Sequence, residues 1–146
     1  MGSGDREKVL GIIRASAAHA FLATCDGDRP TLRSITAIVE DDLSVWIATS
    51  AKSRKVAQIK KNPNVCFAFI SQPEGEKAAT ICGKAVIVSD SRTKERVWKL
   101  APYDIGQHFP GGPGSADYCV LRIEIAAIEW RDGWAGGTHV YEPGRS

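Results

Sequence analysis

The sequence has little cysteine and no Cys-x-x-Cys pair. Cys25, Cys66, Cys82 and Cys119 stand far apart, and His19, His108 and His139 share no ligand spacing with them or with one another. No disulfide scaffold is expected, and nothing supports a zinc centre or other metal site. Each cysteine falls in an apolar, strand-like segment, so all four are expected to be small buried thiols of a reducing compartment. Also missing is any apolar run of about 18 residues, the length that suggests a membrane span. The opening Met1-Gly2-Ser3-Gly4-Asp5-Arg6 has no apolar stretch of the signal-peptide kind. A cytoplasmic protein with no membrane partner is the expectation. Charge of one sign is scarce as well: 19 Lys and Arg against 17 Asp and Glu leave a formal +2. That gives little attraction for nucleic acid, whose binding grows with the phosphates neutralised. Ser115 lacks a G-x-S-x-G setting, and Gly83-Lys84 lacks the upstream Gly of a P-loop, so neither names a catalytic residue.

What is present is an ordinary globular composition, 43% hydrophobic and 25% charged over 146 residues, which reads as a single domain spanning 1–146. No internal repeat or linker interrupts it. Residues 5–16 place Val9, Leu10, Ile12 and Ile13 near helical spacing, with Asp5 and Glu7 at the end the helix dipole favours. An apolar run over 19–25 closes on the turn formers Asp26-Gly27-Asp28-Arg29-Pro30. Residues 31–40 then alternate as one long strand, and 43–49 return after Asp41-Asp42 as a third. A short helix is expected from Ser53 to Lys61, a strand over 65–70, another over 78–89, a charged helix capped by Asp90 or Ser91, and a last long strand over 118–130. The Gly- and Pro-rich stretch 101–117 has no regular pattern and is long enough to be suspected of function. Six strands with short helices at the connections, and no strand–helix alternation, argue for a mainly β, six-stranded antiparallel barrel with flanking helices.

One passage carries chemistry. Thr49-Ser50-Ala51-Lys52-Ser53-Arg54-Lys55 joins a strand end to a helix start inside the only marked basic cluster, which continues to Lys60 and Lys61. Free N–H groups at the helix start, the hydroxyls of Ser50 and Ser53, and the charges of Arg54 and Lys55 suit a phosphate group. A plain capped helix with a solvated basic face is the alternative reading of the same residues.

From about Ala20 to Ile70 the chain resembles the pyridoxamine 5′-phosphate oxidase-like flavoproteins, whose fold is a split β-barrel. Arg33-Ser34-Ile35-Thr36 stands where that family lines FMN after the first hairpin. Ala48-Thr49 stands at the end of its third strand, Ser53-Arg54-Lys55 at its phosphate-binding helix start, and Asn62-Pro63-Asn64-Val65 at the continuation. The resemblance implies bound FMN, held by Arg33, Ser34, Ile35, Thr36, Ala48, Thr49, Ser53, Arg54 and Lys55, with Trp130 at the end of the last strand as a further contact. It also implies a homodimer in which each flavin site draws on both chains. Exposure of several of the four tryptophans would add apolar surface for such an interface.

The departures matter equally. The vitamin-processing oxidase has a substrate-binding Lys where this chain has Ile38, a flavin-contacting Gln at Ala78, and substrate-binding Tyr and Arg at Arg96 and Leu100; the Arg-containing C-terminal signature is absent too. The pattern is nearer the general stress protein branch, implying a flavin oxidoreductase that does not process pyridoxine phosphate. The rival reading is a non-catalytic module that takes FMN or another phosphorylated ligand for sensing or storage; the family also includes members that bind haem or a deazaflavin.

Overall fold

A computed structural model describes residues 3–144. Helix α1 (Ser3–Ser16) leads into strands β1 (Ala20–Asp26) and β2 (Arg29–Ile35), then β3 (Ile38–Val39), β4 (Val45–Ser50) and helix α2 (Arg54–Lys61). Strands β5 (Asn64–Ile70) and β6 (Lys77–Val88), helix α3 (Ser91–Leu100), and strands β7 (Tyr118–Asp132) and β8 (His139–Tyr141) complete the order. No helix among the described residues is long and apolar enough to cross a membrane.

The strands form one sheet in the order β2-β1-β5-β6-β7-β4-β3, with β8 paired to β7. Every pairing is antiparallel. Strands β2 and β3 lie at opposite ends of that order, yet only Thr36 and Ala37 separate them. The sheet therefore curls until its two edges meet, giving a split barrel. This is why the single strand expected over 31–40 is broken: its first half pairs with β1 and its second with β4. At the crossing the chain bonds back to the connection after α1, with the Ala37 N–H donating to Ala17 O (2.8 Å) and the Thr36 hydroxyl to Ala18 O (3.1 Å). The split strand and β8 raise the expected six strands to eight.

A bulge at Cys82/Gly83 bends β6 against β7. A Cβ on Gly83 would stand 1.9 Å from Glu124 O, so only glycine fits the close approach there.

Inside the barrel, Leu22, Phe67, Phe69, Ile81, Leu121 and Ile128 pack with Val9, Ile12 and Ile13 of α1. Val56 and Ile59 anchor α2 to the same cluster. Burial along β5 alternates, although its sequence is almost continuously apolar: Val65, Phe67 and Phe69 face in, and Cys66 is exposed. That overturns the expected burial of all four thiols. Cys66 and Cys82 are exposed, Cys25 is half-buried, and Cys119 alone is buried. Strand side chains point to opposite faces in turn, and a small apolar residue on the outer face needs no cover.

A second cluster sits outside the barrel. Val97 of α3, with Ile105 and Phe109 of the following loop, packs on Ile38, Trp46, Tyr118 and Val120. Tyr118 meets Trp98 edge-on (5.1 Å) and Phe109 (5.3 Å), and its hydroxyl donates to Lys94 O (2.7 Å). The loop expected to be irregular thus holds a short 3-10 turn, Ile105–Gln107, docked through its aromatics. Of the tryptophans, only Trp134 is widely exposed, at 69%; Trp46 and Trp130 are buried and Trp98 half-buried, so the apolar surface expected from several tryptophans reduces to one.

Candidate cofactor site

The corner between β4 and α2 is built by local bonds. Ser53 has extended backbone (φ −68°, ψ 154°), and its hydroxyl accepts from the Val56 N–H at 3.4 Å, capping α2. Asp117 ties the turn from the other side: its carboxylate accepts from the Ser50 hydroxyl (2.6 Å) and its carbonyl from the Ala51 N–H (2.8 Å). The Ser50 hydroxyl, expected to face an anion, is thus committed to Asp117. Lys55 folds back so that its Nζ donates to Thr49 Oγ1 at 2.7 Å.

On the neighbouring β2, Arg33 is fixed by a polar network instead of a carboxylate. Its guanidinium donates to Leu22 O (3.1 Å), Thr24 Oγ1 (2.7 Å), Thr31 Oγ1 (2.9 Å) and Gln58 Oε1 (3.2 Å). Gln58 Oε1 also accepts from both threonine hydroxyls, at 2.6 and 2.9 Å. This network holds the Arg33 side chain on α2 and close to two more cations. Burial, then the charge of Arg54, lower the Arg33 pKa; burial, then the charge of Arg33, lower that of Lys55. Among the described residues the ion pairs are Arg14–Asp41, Lys77–Asp132, Arg96–Glu40 and Arg122–Glu124. Arg33, Arg54 and Lys55 belong to none of them.

Beside these cations opens a cleft of about 510 Å³, within the usual range for small-molecule sites. Strand β2 contributes Ser34, Ile35 and Thr36, strand β4 contributes Ala48, Thr49 and Ser50, and α2 contributes Lys55. The fourth wall is Tyr103, His108 and Phe109 of the loop after α3. The sequence marked that loop as suspect without naming a residue in it. Its aromatics were the available signal: Tyr103 and Phe109 dock the loop on the outer cluster and present part of their surface to the cleft. Burial raises the Tyr103 pKa, so the phenol is protonated at neutral pH.

Not all the residues picked from sequence meet in this cleft. Ser34, Ile35, Thr36, Ala48, Thr49 and Lys55 line it, and Arg33 is on the same strand in the adjoining network. Ser53 is the helix cap at its edge. Arg54 is exposed and lines a neighbouring cleft of about 470 Å³ with Gln58 and Lys61. Trp130 is elsewhere within one chain. It pairs with Ala79 on β6, stacks on His139 (4.7 Å between rings), and has a buried indole N–H without a partner. Along β7 it lies roughly 30 Å of extended chain beyond Val120, the residue opposite Ala48.

A curled antiparallel sheet with a cationic strand–helix corner and an aromatic loop over the cleft defines a split barrel with a candidate small-molecule site. Residues 7–131 match the pyridoxamine 5′-phosphate oxidase family, and the chain belongs to it. It is 27% identical over 123 residues to General stress protein 26 of Bacillus subtilis (strain 168), covering 82% of each chain. Among solved structures it resembles General Stress Protein 26 of Bacillus anthracis str. Sterne, with a TM-score of 0.76 at 23% identity over 94% of this chain and 97% of that one. It also resembles a heme binding protein of Mycobacterium smegmatis, with a TM-score of 0.71 at 15% identity, over 92% of this chain and 57% of that one. At these identities the two structures show the fold alone.

Proposed function

We propose that this protein is a homodimeric FMN-binding oxidoreductase of the general stress protein type, and not a pyridoxine phosphate oxidase. The observation that carries the proposal is the gathering of Arg33, Arg54 and Lys55 without a carboxylate partner, at a helix start, beside a cleft of cofactor size. Arg33 and Lys55, partly desolvated and each with its pKa lowered by burial and then by a neighbouring cation, are stabilised by a bound anion. The phosphate of FMN supplies one. Its ring would lie against Ile35, Ala48 and Phe109, with Thr36 and Thr49 along the ribityl chain.

When bound, FMN supplies the electron-transfer chemistry. The chain's own residues position it and limit access. The Thr24–Thr31–Gln58 network keeps Arg33 from swinging into solvent, and the aromatic loop keeps bulk water from one side of the cleft. Tyr103 and His108 are the titratable groups at the cleft's outer wall, where a second substrate would enter.

The substrate side argues against pyridoxine phosphate. Ile38 is buried in the second cluster, Arg96 is engaged with Glu40 (2.7 Å), and Leu100 is apolar. None of the three is available to hold a second phosphate.

The visible spectrum of the purified protein, followed by titration with FMN, tests the proposal. A flavin spectrum that bleaches with a reduced nicotinamide supports the oxidoreductase. A flavin spectrum inert to every donor supports a non-catalytic binding module. A Soret band, a deazaflavin spectrum, or failure to take up FMN would overturn it.

A further inference from the structure

The outer face of the barrel carries a feature that flavin binding does not use. Cys66 on β5 and Cys82 on β6 are directly opposed in the antiparallel register, both are exposed, and their sulfurs are 3.3 Å apart. Directly opposed residues of such a pair have Cα atoms about 4.5–5.5 Å apart. That lies inside the roughly 4.4–6.8 Å which a disulfide spans, so a bond between them needs no backbone movement. The approach is open as well. In the same row across the sheet, Cys66 faces Ala23 of β1 and Cys82 faces Ala127 of β7, and neither methyl group can shield the sulfurs. The remaining thiols are placed differently: Cys119 is buried, and Cys25 is half-buried with its thiol near Asn64 O (3.9 Å).

We propose that Cys66 and Cys82 form a surface dithiol that undergoes exchange with low-molecular-weight disulfides and closes to a cross-strand disulfide. The Cys66 thiolate attacks one sulfur of the small disulfide, breaking its S–S bond, forming a mixed disulfide and releasing one small thiolate. The Cys82 sulfur then attacks the Cys66 sulfur, forming the protein disulfide and releasing the second. The two protons of the dithiol end on the two small thiols; the protein is oxidised by two electrons and the small disulfide is reduced by two. Partial burial and the adjacent Cys66 sulfur push the Cys82 thiol up to about 11. A crosslink that is exposed and spans two paired strands is open to re-reduction by the same route.

The site is independent of the flavin reading, and its test does not involve the cofactor. Reduced, folded full-length protein is incubated with oxidised glutathione, quenched in acid, alkylated with N-ethylmaleimide under denaturing conditions and weighed before and after digestion. The expected product is a single chain lighter by two hydrogens, with two of its four thiols alkylated, a peptide linking Cys66 to Cys82, and full reversal by dithiothreitol. Cys66→Ser and Cys82→Ser should each stop at a glutathione adduct on the remaining thiol. Four alkylated thiols in the wild type, a stable glutathione adduct on the wild type, or a link between two chains would each overturn the proposal.

Discussion

Replacing Lys55 by Met separates the cost of the cationic corner from its use. In the free protein the substitution removes a desolvated charge that Arg33 repels, and with it the hydrogen bond to Thr49 Oγ1 (2.7 Å). The two changes oppose each other, and the stability of the free protein should shift by less than about 1 kcal/mol. With FMN present nothing offsets the loss. A hydrogen bond to a charged group contributes about 1.5–3 kcal/mol, so affinity should fall by about tenfold to 150-fold. At FMN about 100 times the wild-type Kd, ligand stabilisation should drop from about 2.7 kcal/mol to between about 0.3 and 1.3 kcal/mol. Fluorescence titration gives the affinity, and thermal unfolding with and without FMN gives the linked stabilisation. Lys60→Met, an exposed change on the same helix, is the control and should leave both unchanged. Equal FMN affinity in K55M and wild type would refute the placement of the phosphate. The pH dependence has a definite sign. A lysine whose folded pKa lies below its ordinary 10.5 makes the unfolded chain the better proton binder between those two values. Free-protein stability should therefore gain a rising component through that alkaline window, absent from K55M and absent at neutral pH.

Gly83→Ala should destabilise by about 3 kcal/mol or more, because the added methyl meets the Glu124 carbonyl and only backbone movement relieves it; chemical denaturation reads this directly. Sedimentation should give a stable dimer at micromolar concentration, and a folded monomer there would remove the partner's role in the flavin site. FMN-loaded protein given pyridoxine or pyridoxamine 5′-phosphate in an oxygen electrode should show no substrate-dependent uptake. Turnover of order one per second would show that Arg96 leaves Glu40 to hold the substrate phosphate.

The elements were legible where local chemistry decides them. Asp90 and Ser53 cap helices as their residue types require, and Gly27, at φ 64°, turns the first hairpin. What could not be read was set by non-local closure. Nothing within 31–40 announces that Thr36 and Ala37 leave one sheet edge for the other; the break exists because β2 and β3 have different partners. Strand β8 was missed because three residues after a glycine-rich turn give no periodicity, and its order derives from pairing with β7. The thiols were misjudged for the same reason: an apolar run states which residues suit a strand, and the pleat decides which of them face out.

The candidate site divides along the same line, and the division follows the two packing clusters. The cation end depends on β2, β4 and the start of α2, and α2 is fixed by Val56 and Ile59 in the barrel's own core. Its residues are close in sequence, so their chemistry shows as a motif. The opposite wall hangs on the outer cluster, where Phe109 and Ile105 pack against Tyr118 and Val120. Those contacts join residues far apart in the chain through a loop with little regular structure, so no local pattern encodes the wall. The corner proposed to hold a phosphate can therefore stay constant while the loop's aromatics change. On the proposed reading, that loop, with Tyr103 and His108 lining the cleft, is where the identity of a second substrate would be decided.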